Sequence, residues 1–250
     1  MAADDSVVQG GGAWTTPDAP VPGRRRGRVG TRSILPGAPE RVTVPDPADA
    51  PWRGVALLNF FRGGSLVLVG TGFLCEPDII LTARHNLTSV PYDAGGVWLG
   101  YDARTNGAVQ PTGIKAFAYH RDLDIAVLVL REAMPGVFAI GGALPPTHAG
   151  VTLAGYSMPY PDGAVRCSFG VGAVRAEAGT ALGYAVSTRE GDSGAPVFTV
   201  EGDAPRAVAV HAEAAKGDPG ANTGVRLTAQ VVADVATLTE WARAHAGGGQ

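Results

Sequence analysis

From Val55 onward, short apolar runs alternate with stretches containing glycine, proline or charge. The runs include Val55-Ala-Leu-Leu-Asn-Phe-Phe, Leu66-Val-Leu-Val, Ile79-Ile-Leu-Thr, Val97-Trp-Leu-Gly and Ile125-Ala-Val-Leu-Val-Leu. A Pro/Gly-containing break follows, marked by Met134-Pro-Gly and Gly141-Gly-Ala-Leu-Pro-Pro. The same texture then resumes in Val151 to Tyr156, Val165 to Val174, Tyr184-Ala-Val-Ser, Pro196-Val-Phe-Thr-Val and Ala207-Val-Ala-Val. Runs of this length, rich in β-branched residues, predict strands in a sandwich or a pair of barrels rather than βαβ units. Only the last segment has helical spacing. Val231, Val235, Leu238 and Trp241 share one face, Asp234, Glu240 and Arg243 lie elsewhere, and Gly247-Gly-Gly ends the pattern.

Residues 1–33 lack such runs. Gly10-Gly-Gly, several prolines and Arg24-Arg-Arg-Gly-Arg bring few apolar groups to offset the entropy of ordering a backbone. The expectation is a flexible, solvated tail, or a pro-segment removed after one of the arginines. The division that follows is a tail over 1–33, a first barrel over 34–135, and a second barrel with the terminal helix over 136–246.

Composition narrows the picture further. The 36 glycines and 19 prolines suit many turns, and 250 residues can bury a large core. A formal charge of −3 gives no electrostatic reason to expect nucleic acid or an anionic membrane as partner. No apolar stretch approaches the roughly 20 residues of a membrane-spanning helix. Met1-Ala-Ala-Asp-Asp-Ser lacks the basic start and apolar run of a secretory signal. Either a signal has been removed, or the protein does not leave the cell by that route. Cys75 and Cys167 fit either one disulfide or two buried thiols.

Three motifs carry chemistry. Gly191-Asp-Ser-Gly-Ala-Pro presents Ser193 on a turn whose glycines let the amides of Gly191 and Ser193 converge on an anion. Thr82-Ala-Arg-His-Asn places His85 just after the strand Ile79-Ile-Leu. In His120-Arg-Asp-Leu-Asp, Asp124 stands at the mouth of the next apolar run, where a carboxylate can fix an imidazole tautomer. Asp122 is its rival. The order His85, Asp124, Ser193 differs from the Ser…Asp…His order of an α/β-hydrolase.

Thr82-Ala-x-His, Asp124-Ile-Ala and Gly191-Asp-Ser-Gly-Ala-Pro, in that order, resemble the motifs of the chymotrypsin-like serine peptidases, and within them the bacterial glutamyl endopeptidase branch. Ile34-Leu-Pro-Gly-Ala-Pro-Glu-Arg-Val-Thr-Val and Pro51-Trp-Arg are similar to the start of mature enzymes there. The resemblance covers about 34–242. It implies two packed six-stranded antiparallel β-barrels, with His85, Asp124 and Ser193 catalytic and the amides of Gly191 and Ser193 forming an oxyanion hole. It also implies a protein or peptide substrate, and no metal or organic cofactor. Arg84, where alanine is usual, bears on access to the site, and Asn86 rather than a cysteine stands directly after His85.

Ser187, six positions before Ser193, argues against a pocket for basic residues. Thr188 and His211 match the positions that bind an acidic side chain in the glutamyl branch, although Arg189, Glu190 and Arg226 lie near them in sequence. In that branch the free N-terminal amine also contributes to the pocket, so removal of the tail would activate the enzyme. Two other readings stand beside an active endopeptidase. One is a catalytically silent binding module that keeps the fold. The other is an effector protease gated by a regulatory partner, which the missing signal motivates. Family resemblance implies secretion, while the N-terminus, lacking a signal, leaves a cytoplasmic location open.

Overall fold

A computed structural model describes residues 5–18, 32–35, 37–102, 112–143, 146–157, 164–201, 204–214, 218 and 220–247. The basic run Arg24 to Arg28 lies outside them. Successive side chains of a strand point to opposite faces, so a continuous apolar run requires cover on both sides. That is how the first sheet is built. Leu57, Phe73 and Ile79 enter one core, and their neighbours Leu58, Leu74 and Ile80 enter another.

The first sheet runs, in spatial order, through strands Val8–Ala13, Ile114–His120, Ala126–Leu130, Ile79–Thr82, Ser65–Glu76, Val55–Arg62 and Ala94–Leu99. It curls but does not zip shut. Among the described residues, its closure rests on the isolated bridges Val97–Thr112 and Asp18–Gly95. The expectation of two complete barrels therefore holds fully only for the second. There, Ala204–Ala214, Pro196–Glu201, Gly150–Ser157, Arg166–Ala178, Ala181–Tyr184 and Asn222–Arg226 form a ring, closed by pairing of the last strand with the first. Val151, Leu153, Tyr184, Val197 and Val208 fill it.

The core that Leu57, Phe73 and Ile79 enter also joins the two units. Phe138 lies between Phe73 of the first sheet and Phe198 of the second, with ring centroids 5.5 and 5.3 Å apart and both contacts edge-on. The helix Ala229–His245 follows the second barrel but packs on strands Ile114–His120 and Ala126–Leu130 of the first. Thr228 caps it by accepting from the Val231 N–H at 3.2 Å. Val231, Val235 and Leu238 are buried as the spacing predicts, and Asp234 is buried with them.

The reading of 1–33 as one flexible tail fails for its first half. Val8–Ala13 adds a strand to the first sheet beside Ile114–His120, and Trp14 is buried against Phe60 and Phe117. Glycine makes this docking feasible. A Cβ at Gly11 would clash with the Phe117 carbonyl and lie 2.7 Å from the Trp241 ring. A run that shows no side-chain pattern is here a strand because a backbone must pass close by. Cys75 and Cys167 are free and buried, and desolvation pushes both thiols up to about 12. The structure thus selects the buried-thiol alternative.

Candidate active site

Strand Ile79–Thr82 ends at a turn that opens the one-turn helix His85–Thr88. His85 is its first residue and reaches the loop between Ile114–His120 and Ala126–Leu130. That loop is shaped by His120, whose Nδ1 accepts from the N–H groups of Asp122 (3.0 Å) and Leu123 (2.9 Å). The turn brings Asp124 to His85, while Asp122 spends its amide on His120. The backbone N–H of His85 donates to Asp124 Oδ1 at 2.9 Å, and its Nδ1 lies 2.7 Å from Oδ2.

Burial pushes the Asp124 carboxyl up, but the hydrogen bonds and charge of His85, with the Arg84 charge, outweigh it and leave it below its ordinary value of 3.8. An ionised carboxylate only accepts hydrogen bonds, so Nδ1 is the donor and the lone pair of the neutral ring sits on Nε2. Arg84 does not obstruct the site. Its guanidinium turns away to donate to the carbonyls of His120 (3.0 Å) and Arg121 (2.7 Å) and to Gln9 Oε1 (3.1 Å). It thereby ties the histidine turn to the aspartate loop and to the N-terminal strand.

The turn bearing Ser193 is held from both barrels. The Ser193 carbonyl accepts from the Thr71 N–H (2.9 Å) and from Asn86 Nδ2 (2.8 Å), so the residue after His85 clasps the serine turn directly. Thr71 Oγ1 donates to the Gly191 carbonyl at 2.7 Å. Gly191 and Gly194 have φ of 96° and 86°, and side chains there would strike the carbonyls of Tyr156 and Thr71. The amides of Asp192, Gly194 and Ala195 donate to the carbonyls of Arg189, His211 and Asp192. Those of Gly191 and Ser193 have no acceptor among the described residues.

Asp192 is fully buried and receives a forked ion pair from Arg41, with Nη1–Oδ2 2.7 Å and Nη2–Oδ1 3.2 Å. It also accepts from Ser157 Oγ (2.9 Å) and the Arg189 N–H (2.8 Å). Arg41 is anchored in turn by the Ser168 carbonyl and hydroxyl.

His85, Gly191 and Ser193 open onto one cleft of about 600 Å³, which Thr188, His211 and Glu213 also line. The structure therefore gathers every site residue expected from sequence around this cleft, with Asp124 behind His85. Ser187 turns away, and its hydroxyl accepts from the Leu35 N–H at 3.1 Å. Burial lowers His211 to about 4; the charges of Arg41 and His85 add to that, against Asp192 and the Thr223 carbonyl.

A protein-family model described as "trypsin-like peptidase domain" matches residues 70–209, more than half of the chain. The chain belongs to the trypsin-like peptidases. It is a serine endopeptidase, and the matched span holds His85, Asp124 and Ser193. A solved structure described as Glu endopeptidase in complex with MPD superposes with a TM-score of 0.67 and 24% identity, covering 81% of this chain and 97% of that one. The match establishes a shared chymotrypsin-like fold. A search of curated proteins finds no match.

Several residues of this peptidase site carry little signal in sequence. Asn86 and Asp192 sit inside the motifs, where their neighbours draw attention away from them. Thr71 and Arg41 stand outside any motif. One consequence of the burial is measurable. Between pH 6.5 and about 4 the unfolded chain protonates His211 while the folded chain does not, so the unfolded state binds more protons and stability falls as pH drops. Asp124 adds to this at lower pH, since its depressed value stabilises the fold above its ordinary 3.8 and that contribution is lost as pH falls through the folded value. Thermal melts from pH 7 to 4 are expected to show a declining Tm, with a shallower decline in His211→Gln. An unchanged slope in that variant would mean that His211 is protonated in the fold.

Proposed function

We propose that this peptidase hydrolyses peptide bonds through Ser193, His85 and Asp124, by way of an acyl-enzyme, and that it prefers glutamate before the scissile bond. Ser193 Oγ attacks the scissile carbonyl carbon and passes its proton to His85 Nε2. The carbonyl oxygen becomes an oxyanion that accepts from the amides of Gly191 and Ser193. His85 then gives the proton to the leaving nitrogen, the C–N bond breaks, and an ester to Ser193 remains. Water repeats the sequence from the other side: His85 removes its proton, the ester is cleaved, and Ser193 Oγ takes the proton back.

The observation that carries this reading is the double hydrogen bond between His85 and Asp124, at 2.9 and 2.7 Å, behind the cleft that Ser193 also lines. It leaves Nε2 as the free base. The two amides without acceptors on the serine turn support the oxyanion role. The preference for glutamate rests on Thr188 and His211 lining the cleft, since a hydroxyl and a neutral imidazole can both donate to a carboxylate. The Glu endopeptidase of shared fold agrees with it.

A fluorophosphonate probe is expected to label Ser193 and no other residue, and to label nothing in His85→Ala under the same conditions. Absence of labelling in folded protein sinks the mechanism; labelling only after addition of a partner would favour gated activity. Digestion of an unbiased peptide library should yield cuts mainly after glutamate. Cuts mainly after large apolar residues would refute the acidic preference and leave the mechanism standing.

A further inference from the structure

His211 does not meet the cleft alone. Tyr184, fully buried at the end of strand Ala181–Tyr184, sets its hydroxyl 2.6 Å from His211 Nδ1. The two rings meet edge to face, with centroids 6.1 Å apart. The next acceptor for that hydroxyl is the Thr223 carbonyl, 3.4 Å away on the neighbouring strand.

Two proton arrangements are open to this pair. In one, the Tyr184 O–H donates to Nδ1, and the single ring proton sits on Nε2. In the other, Nδ1–H donates to the Tyr184 oxygen, and the hydroxyl proton must use the Thr223 carbonyl. A hydrogen bond at 2.6 Å is strong and one at 3.4 Å is weak, so the first arrangement leaves less polarity unpaired. Burial also keeps the Tyr184 hydroxyl protonated, well above its ordinary value, so it remains a donor.

The consequence reaches the substrate. With the proton on Nε2, His211 presents a neutral N–H to the cleft that Thr188 also lines. Two donors suit a carboxylate, which only accepts. They suit a primary amide less well, because its NH₂ would face a donor. The opposite tautomer would present a lone pair and favour the amide. Resting on the reading of Thr188 and His211 as substrate contacts, we infer that Tyr184 is a positioning residue for specificity, whose hydroxyl holds His211 in the Nε2–H tautomer and so selects Glu over Gln before the scissile bond.

The test compares two peptides that differ only in Glu or Gln at that position, cleaved by wild type and by Tyr184→Phe. The Glu/Gln ratio of kcat/KM should fall by about 10–100-fold in the variant, the worth of one hydrogen bond to a charged group, and mainly through KM. Labelling of Ser193 by a small fluorophosphonate should proceed at the wild-type rate, which shows that the variant folds and that the chemical machinery is intact. Histidine ¹⁵N chemical shifts should place the His211 proton on Nε2 in wild type and on a mixture of both nitrogens in the variant. A wild type that prefers Glu, with an unchanged ratio in Tyr184→Phe, overturns the role of Tyr184 alone. A wild-type spectrum with the proton on Nδ1 overturns it even if the variant cannot be purified. A wild type indifferent to Glu removes the acidic pocket itself, and this inference with it.

Discussion

Replacing Ser193 by alanine is expected to lower kcat by a factor on the order of 10⁶, with KM little changed, as for removal of the nucleophile from a unit of this kind. The reason lies in how the three groups depend on one another. In the proposed mechanism, His85 is a useful base only toward a proton that Ser193 releases, and Asp124 acts only through His85. Losing any member disables the same step. His85→Ala should therefore cost about as much as Ser193→Ala, and the double variant little more than either single one. Asp124→Asn should cost less, on the order of 10⁴, because the amide can still occupy the site, although its NH₂ donates to Nδ1 and favours the ring tautomer with the proton on Nε2. Residual activity above the uncatalysed rate would belong to the Gly191 and Ser193 amides and to binding. Single-turnover measurements with a chromogenic peptide ester read these differences directly. Additive losses in the double variant would show that Ser193 and His85 do not act as a unit.

The second large effect falls on Arg41. Its guanidinium is the charge partner of Asp192, which is fully buried and adjacent to Ser193. Truncation to alanine strands a carboxylate away from water, and breaking such a pair costs about 3–5 kcal/mol. In a chain of this size that corresponds to a drop in Tm of roughly 6–20 °C. The stranded carboxylate will seek water, and the turn from Arg189 to Ala195 hangs on it through the Arg189 amide. Arg41→Ala should thus lose activity as well as stability. Removing both charges tests the cause. Arg41→Met combined with Asp192→Asn should recover much of the stability, since a buried neutral pair avoids the desolvation penalty. A double variant no more stable than Arg41→Ala would locate the loss elsewhere, in the contacts of Arg41 with Ser168. Chemical denaturation of wild type, Arg41→Met, Asp192→Asn and the double variant closes the cycle.

Much of this molecule could be read from local pattern. The apolar runs marked most of the strands, because a sheet covered on both faces needs unbroken hydrophobicity. The strand Ile114–His120 has no unbroken apolar run, since its buried positions, Ile114, Ala116, Ala118 and His120, alternate with exposed Lys115 and half-exposed Phe117 and Tyr119. Val8–Ala13 has none for a different reason: glycines carry no pattern, and only the closeness of Phe117 and Trp241 explains them. The helix was visible from its spacing. Its place on the first sheet was not, because spacing says which face is apolar and nothing about what covers it. Asp234 shows the same limit. It reads as a solvent-side residue, but it lies buried near His120, with Oδ2 3.5 Å from Nε2.

By itself, the sequence determined the all-β class, the three motifs and their order, because each of these is written in residues close together along the chain. Tertiary structure decided which aspartate meets His85, that Cys75 and Cys167 stay apart, and that the first sheet remains only partly closed. It also decided that Arg41 neutralises a carboxylate 151 positions away and that Tyr184 stands behind His211. Such partners are chosen by burial. A charge or an imidazole removed from water must find whatever donor or acceptor the folded chain brings within about 3 Å, and no local pattern records which one that will be.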